Sequence, residues 1–168
     1  MSDKFTEDVV ALLPNLKRFA LSLCRRGDLA EDLVQITAER AFRARDRFDP
    51  ATQLQPWLFR ILRNAWIDTL RRDATRGEVV DIHESPQPDP IDSAAQTDDR
   101  LTLNAVRAAM AHLPEDQRMV LHLVCIEGLS YGEAATTLDI PQGTVMSRLS
   151  RARIALAKSV GIDRDHSR

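Results

Sequence analysis

The sequence predicts an all-α protein of two small helical domains joined by a flexible acidic linker. Apolar residues recur at steps of three and four along both flanks, and no run shows the strict alternation of a half-buried strand. Three prolines, Pro86, Pro88 and Pro90, crowd a central stretch with few large apolar groups. Charge is unevenly spread: residues 1–72 carry a net +3, residues 73–99 a net −7 and residues 100–168 a net +2.

The first helix is carried by Phe5, Val9, Leu12, Leu13, Leu16, Phe19, Ala20 and Leu23, which share one face. Gly27 interrupts the pattern, and Asp28 with Glu31 has the spacing of a capping box opening a second helix through "DLAEDLVQITAERAF". "DRFDPATQ" reads as a loop, with Asp49-Pro50 as its turn. Leu54, Leu58, Ile61, Leu62 and Ala65 then mark a third helix reaching Arg72. Residues 73–97 follow as the linker, because proline removes backbone donors and too little apolar surface is present to offset ordering entropy. Its acidity suits solubility first, and second a segment that repels or mimics nucleic acid.

The second domain, 98–168, opens with Leu101, Ala105, Ala108 and Met110. "LPEDQRMVLHLVCIEG" follows, with Pro114 suited to a helix start and Gly128 to a helix end. Ser130 and Glu133 form a second capping box before a short helix to Leu138, and "DIPQG" forces a corner. The final helix is amphipathic on Val145, Leu149, Ala152, Leu156 and Val160. Cys24 and Cys125 each fall on an apolar stripe, which predicts two buried, reduced thiols.

Several function classes are disfavoured. No apolar run approaches the roughly 20 residues that cross a bilayer. The opening "MSDKFTEDVV" lacks the basic and apolar regions of a secretion signal, so a cytoplasmic protein without membrane attachment is expected. His83, His112, His122 and His166 are scattered without ligand spacing, and no acid/base constellation appears, so no metal, cofactor, catalytic residue or enzyme activity is expected.

What the residues do suggest is nucleic acid. A short helix, a tight corner and a longer helix form a helix-turn-helix, whose second helix fits a major groove about 12 Å wide. Opposite its apolar stripe lie Thr144, Ser147, Arg148 and Arg151, with Arg153 nearby, and the span 144–157 holds no acid. Arginine pairs with guanine edges or phosphates, and hydroxyls near a helix start bind phosphate. A second basic face, Arg60, Arg63, Asn64, Arg71 and Arg72, runs along the third helix. Trp57 and Trp66 are interleaved there; their spacing suits core anchors first and base-stacking platforms second.

These residues carry a resemblance. "AEDLVQ", "RFDPATQLQPWLFRILRNAWIDTLRR", "LPEDQRMVL" and "EGLSYGEAATTLDIPQGTVMSRLSRAR" are together similar to bacterial RNA polymerase sigma factors of the extracytoplasmic-function group. The second block and "LPNLKRFALSLC" resemble its general-stress branch, common in alphaproteobacteria. The resemblance implies that residues 1–72 are sigma region 2 and residues 98–168 region 4, with promoter DNA and core RNA polymerase as partners. Asp32, Leu33, Gln35, Glu39 and Arg40 would dock on the β′ clamp helices, and region 4 would meet the β flap. The loop from Phe48 to Gln53, with Asp49 and Thr52, would with Asn64 capture a flipped base of the −10 element. Arg60, Arg63, Arg71 and Arg72 would track the adjoining strand. Thr144, Ser147, Arg148, Arg151 and Arg153 would contact the −35 element.

The same resemblance implies an anti-sigma factor that masks both domains and a role in a stress response. Departures are Ile36, where relatives carry an acid, and Met146 and Ser150, where they carry a basic and a bulky residue; the −35 preference is thereby open. A helix-turn-helix regulator with no sigma role is the alternative, and it leaves residues 1–72 unexplained. The relative placement of the two domains is not encoded in any of these patterns.

Overall fold

The computed structural model describes residues 3–77 and 98–161. Of the expected linker, 73–97, residues 78–97 lie outside the described residues. Helices α1 (Lys4–Cys24), α2 (Gly27–Arg43) and α3 (Leu54–Arg76) make the first lobe, with a 3₁₀ turn at Arg45–Arg47. The second lobe holds α4 (Asp98–Ala111), α5 (Glu115–Leu121) continued by a π turn (His122–Ile126), α6 (Tyr131–Leu138) and α7 (Gln142–Ser159). No strand occurs among the described residues.

Local chemistry sets most of the boundaries. The Asp3 carboxylate accepts from the Thr6 amide at 2.9 Å and starts α1, which ends where Arg25 turns left-handed at φ 57°. The expected capping box at Asp28 does not form. Helix α2 begins one residue earlier, at Gly27, so Asp28 lies inside the first turn and pairs with Arg26 at 2.8 Å instead. Helix α3 runs four residues past the expected boundary at Arg72 and stops at Gly77, whose φ of 71° suits a residue without Cβ. The capping box at Ser130 does form: Glu133 N–H donates to Ser130 Oγ at 3.1 Å, and Ser130 N–H donates to the Glu133 carboxylate at 2.8 Å.

Val9, Leu16, Phe19 and Leu23 of α1 pack against Leu33 and Ala41 of α2 and against Leu58, Leu62 and Trp66 of α3. Phe19 and Phe59 meet edge to face at 5.2 Å. In the second lobe, Val120, Leu138, Val145, Leu149 and Ala152 close the helix-turn-helix. Its corner is Asp139 to Pro141, with Asp139 left-handed at φ 54°.

One expectation about the core is overturned. Cys24 is buried but Cys125 is exposed. The π turn inserts an extra residue, shown by the Glu127 N–H bonding His122 O at 3.0 Å, and takes Cys125 out of the helical phase that would bury it. The placement of the lobes is also decided here: they pack directly on each other, and buried residues of both form one continuous core.

Candidate nucleic-acid interface

The loop after α2 is held by Asp49, through both its carboxylate and its backbone carbonyl. Asp49 Oδ1 accepts from Ala51 N–H at 2.9 Å, while Asp49 O accepts from Thr52 N–H at 2.9 Å and from the Thr52 hydroxyl at 2.7 Å. Asp49 and Thr52, expected to touch a base, build the turn of this loop. Phe48 stands at its mouth with its ring 5.1 Å from Trp57 and 5.9 Å from Phe5, and Phe42 lies 5.8 Å from Phe5. Arg45 lies over the Phe5 ring at 5.3 Å and pairs with Asp3. This four-ring cluster joins α1, α2, α3 and the loop. Phe5 was legible only as a core position and Phe42 not at all, because the rings meet through the fold.

Along α3, Asn64, Arg60, Arg71 and Arg72 are exposed and Arg63 is half-buried. Arg60, Asn64 and Arg71 recur at four and seven residues, so they share one face. Arg72 lies to the side, its guanidinium near the Thr69 hydroxyl at 3.5 Å. Trp66 is fully buried and Trp57 half-buried.

On α2, Asp32, Gln35 and Glu39 are exposed along one face, with Gln35 donating to Glu39 at 3.4 Å. Leu33 does not belong to that surface. It is 0% exposed, because it lies on the stripe of Ala30, Thr37 and Ala41 that faces α1 and α3. The expectation that it contacts a partner is corrected: it supports the face from beneath. Arg40 also sits apart, paired with Asp68 of α3 at 2.9 Å.

Helix α7 buries Val145, Leu149 and Ala152 and turns Ser147 and Arg151 outward. Thr144 is half-buried at the helix entry. Arg148 lies at one edge, its Nε 3.4 Å from Asp116 of α5, and Arg153 lies at the other, donating to Cys125 Sγ at 3.8 Å. The exposed face also carries Met146, at 52% exposure, and Ile154, at 55%. Ile154 escaped the sequence reading because an aliphatic side chain on a helix is ordinarily assigned to the core. Open apolar groups beside Arg151 suit thymine methyls next to guanine edges.

Between the lobes, Asp139 at the end of α6 faces an open groove of about 550 Å³ lined by Arg40, Arg63, Asn64, Ile67, Asp68 and Arg71. Arg60 lines a neighbouring groove with Thr136, Asp139 and Pro141. Among the described residues, no three His, Cys, Asp or Glu side chains are grouped to hold a metal, and no helix is long and apolar enough to cross a membrane.

Residues 9–76 match the family model described as Sigma-70 region 2, and residues 103–156 match Sigma-70, region 4. The ECF RNA polymerase sigma factor EcfG of Rhodopseudomonas palustris is 39% identical over 163 residues, covering 97% of this chain and 88% of that one. The sigma factor RpoE of Bartonella quintana, solved with the anti-sigma factor NepR, superposes with a TM-score of 0.82 at 32% identity, over 97% of this chain and 100% of that one. CnrH, solved with the cytosolic domain of CnrY, gives a TM-score of 0.67 at 28% identity, over 95% of this chain and 88% of that one.

Proposed function

Because the chain belongs to the sigma-70 family, in its extracytoplasmic-function group, we propose that it binds core RNA polymerase and directs initiation at a dedicated set of promoters. One observation carries the division of labour. The chain presents two separate basic faces, one on α3 beside a ringed loop and one on the reading helix α7, as contact with two spaced DNA elements requires.

The exposed acids of α2 suit docking on the polymerase clamp, with Arg40 at the rim where α2 meets α3. Once the duplex melts, a base of the −10 element leaves the stack and enters the loop between Phe48 and Gln53. Flipping costs a few kcal/mol, offset by stacking and by bonds to the base edge from Asn64 and the loop. Arg60, Arg63, Arg71 and Arg72 hold the phosphates that follow. Ser147 and Arg151 read the −35 element, flanked by Thr144, Arg148 and Arg153. Region 4 also meets the β flap, which sets its distance from region 2.

The polymerase performs the chemistry, and this chain contributes specificity, working in the cytoplasm. RpoE of Bartonella quintana was solved with the anti-sigma factor NepR, and we extend to this chain an inhibitory partner of that kind and a role in a stress response. A lone helix-turn-helix regulator would have no use for α1 to α3.

The test is run-off transcription with core polymerase across a promoter library, with and without the protein. New start sites that appear only with it are expected. Failure of core polymerase to capture the chain, or no new start site, refutes the reading.

A further inference from the structure

We propose that Arg40, although carried by α2, binds DNA: it extends the strand-binding face of α3, and Asp68 is the positioning residue that holds it there. The proposal rests on the reading of α3 given above. It moves Arg40 off the polymerase-docking face expected from the sequence.

The helix separates Arg40 from that face. At about 100° per residue, Arg40 lies roughly 80–140° around α2 from Asp32, Gln35 and Glu39. Those three are exposed together, with Gln35 bonded to Glu39. Arg40 instead reaches α3, its Nη1 donating to Asp68 Oδ2 at 2.9 Å. The two side chains are 40% and 45% exposed. A pair so open to water adds little stability, so its main consequence is where it puts the guanidinium. A guanidinium has five N–H donors, and Asp68 engages Nη1 alone among the described residues. The rest of the fork is available to a phosphate.

Charge in the groove gives Arg40 its importance. Asn64, Asp68 and Arg71 succeed one another at four and three residues along one side of α3. Asp68 therefore puts a negative charge in the middle of the row that tracks the strand, where it would repel phosphate. Arg40 answers that charge. The groove of Arg40, Arg63 and Arg71 is also lined by Asp68 and Asp139, three guanidiniums against two carboxylates. With Arg40 the groove is net positive. Without it the charges cancel, and a neutral groove does not attract a phosphate backbone. Local spacing does not reveal this role, because Asp68 stands 28 residues from Arg40 along the chain.

The test uses the full chain and a labelled single-stranded random 12-mer, with affinity read by anisotropy from 50 to 200 mM salt. Each phosphate contact to a single strand contributes about 0.7 to the slope of log affinity against log salt. Arg40→Gln should flatten the slope by about 0.7 and weaken binding about eightfold at 50 mM, and Arg40→Lys, which keeps the charge, should restore the slope. Core-polymerase capture by Arg40→Gln should stay within about twofold of wild type, and circular dichroism checks that each variant folds. Asp68→Ala removes a repelling charge in any background, but in the wild type it also sets Arg40 adrift. Its gain in affinity should therefore be smaller in the wild type than in Arg40→Gln. An equal or larger gain in the wild type overturns the positioning role of Asp68. An unchanged slope for Arg40→Gln, or lost polymerase capture with DNA affinity intact, overturns the assignment of Arg40. Arg71→Gln judges the reading beneath it. If that variant flattens the slope and Arg40→Gln does not, only the proposal falls; if neither does, the strand-binding reading of α3 falls with it.

Discussion

Replacing Leu33 by alanine separates a buried support from a partner contact. Leu33 has no exposed surface and packs between α1 and α3. Truncation removes its transfer free energy and leaves a cavity that neighbours fill only in part, at a cost of about 3 kcal/mol within the range of about 2–5 for buried leucine. For a chain of this size each kcal/mol lowers the melting midpoint by about 2–4 °C, so a drop of about 6–12 °C is expected. Circular dichroism at 222 nm reads the midpoint. Core-polymerase affinity, measured well below it, should stay within about twofold for Leu33→Ala, because a change within about 0.4 kcal/mol leaves the docking face intact. Exposed Asp32→Ala should show the reverse: stability within about 0.5 kcal/mol of wild type and weaker polymerase binding. An unchanged midpoint for Leu33→Ala with polymerase affinity lost would refute the assignment of Leu33 to the core.

Arg151→Ala should weaken −35 binding by the holoenzyme by about 1–3 kcal/mol, the worth of one base or phosphate contact, with less loss for Arg148→Ala, whose guanidinium Asp116 already engages; equal losses in a mobility-shift titration contradict this ranking. Asn64→Ala should impair promoter opening more than duplex binding, since its target base exists only after melting; permanganate footprints identical to wild type exclude that role. Lobe closure should weaken in acid. Burial pushes the Glu127 carboxyl up, but bonds from His122, Asn15 and Arg18 outweigh it and hold the group below its ordinary 4.5. A carboxyl lowered in the closed state favours closure above that ordinary value and loses its effect as pH falls through the lowered one. Gln55, also facing it, does not titrate. The radius of gyration from small-angle scattering should therefore grow below about pH 4.5, and Glu127→Gln should remove that step.

Much of this chain was legible because helices are written locally. Three- and four-residue recurrence places α1, α3 and α7, and the Ser130–Glu133 box needs only four consecutive residues to form. The basic faces of α3 and α7 were visible for the same reason, since a helix converts spacing directly into a shared side. Errors arose where phase or neighbours shifted. A one-residue earlier start for α2 removed the Asp28 box, the π turn exposed Cys125, and Leu33 joined the core although its neighbour Asp32 faces outward.

The sequence by itself determined the all-α class, the helices with most of their ends, the paired basic surfaces and the family they resemble. Tertiary structure alone decided that the two lobes close on each other, that Glu127 is sealed among Asn15, Arg18 and Gln55, and that Asp139 faces the arginines of α3. Those partners stand 112, 109 and 72 residues from Glu127 along the chain. Local periodicity says which side of a helix is apolar, but not which distant surface will cover it; that choice is made by shape and charge between segments far apart in the chain.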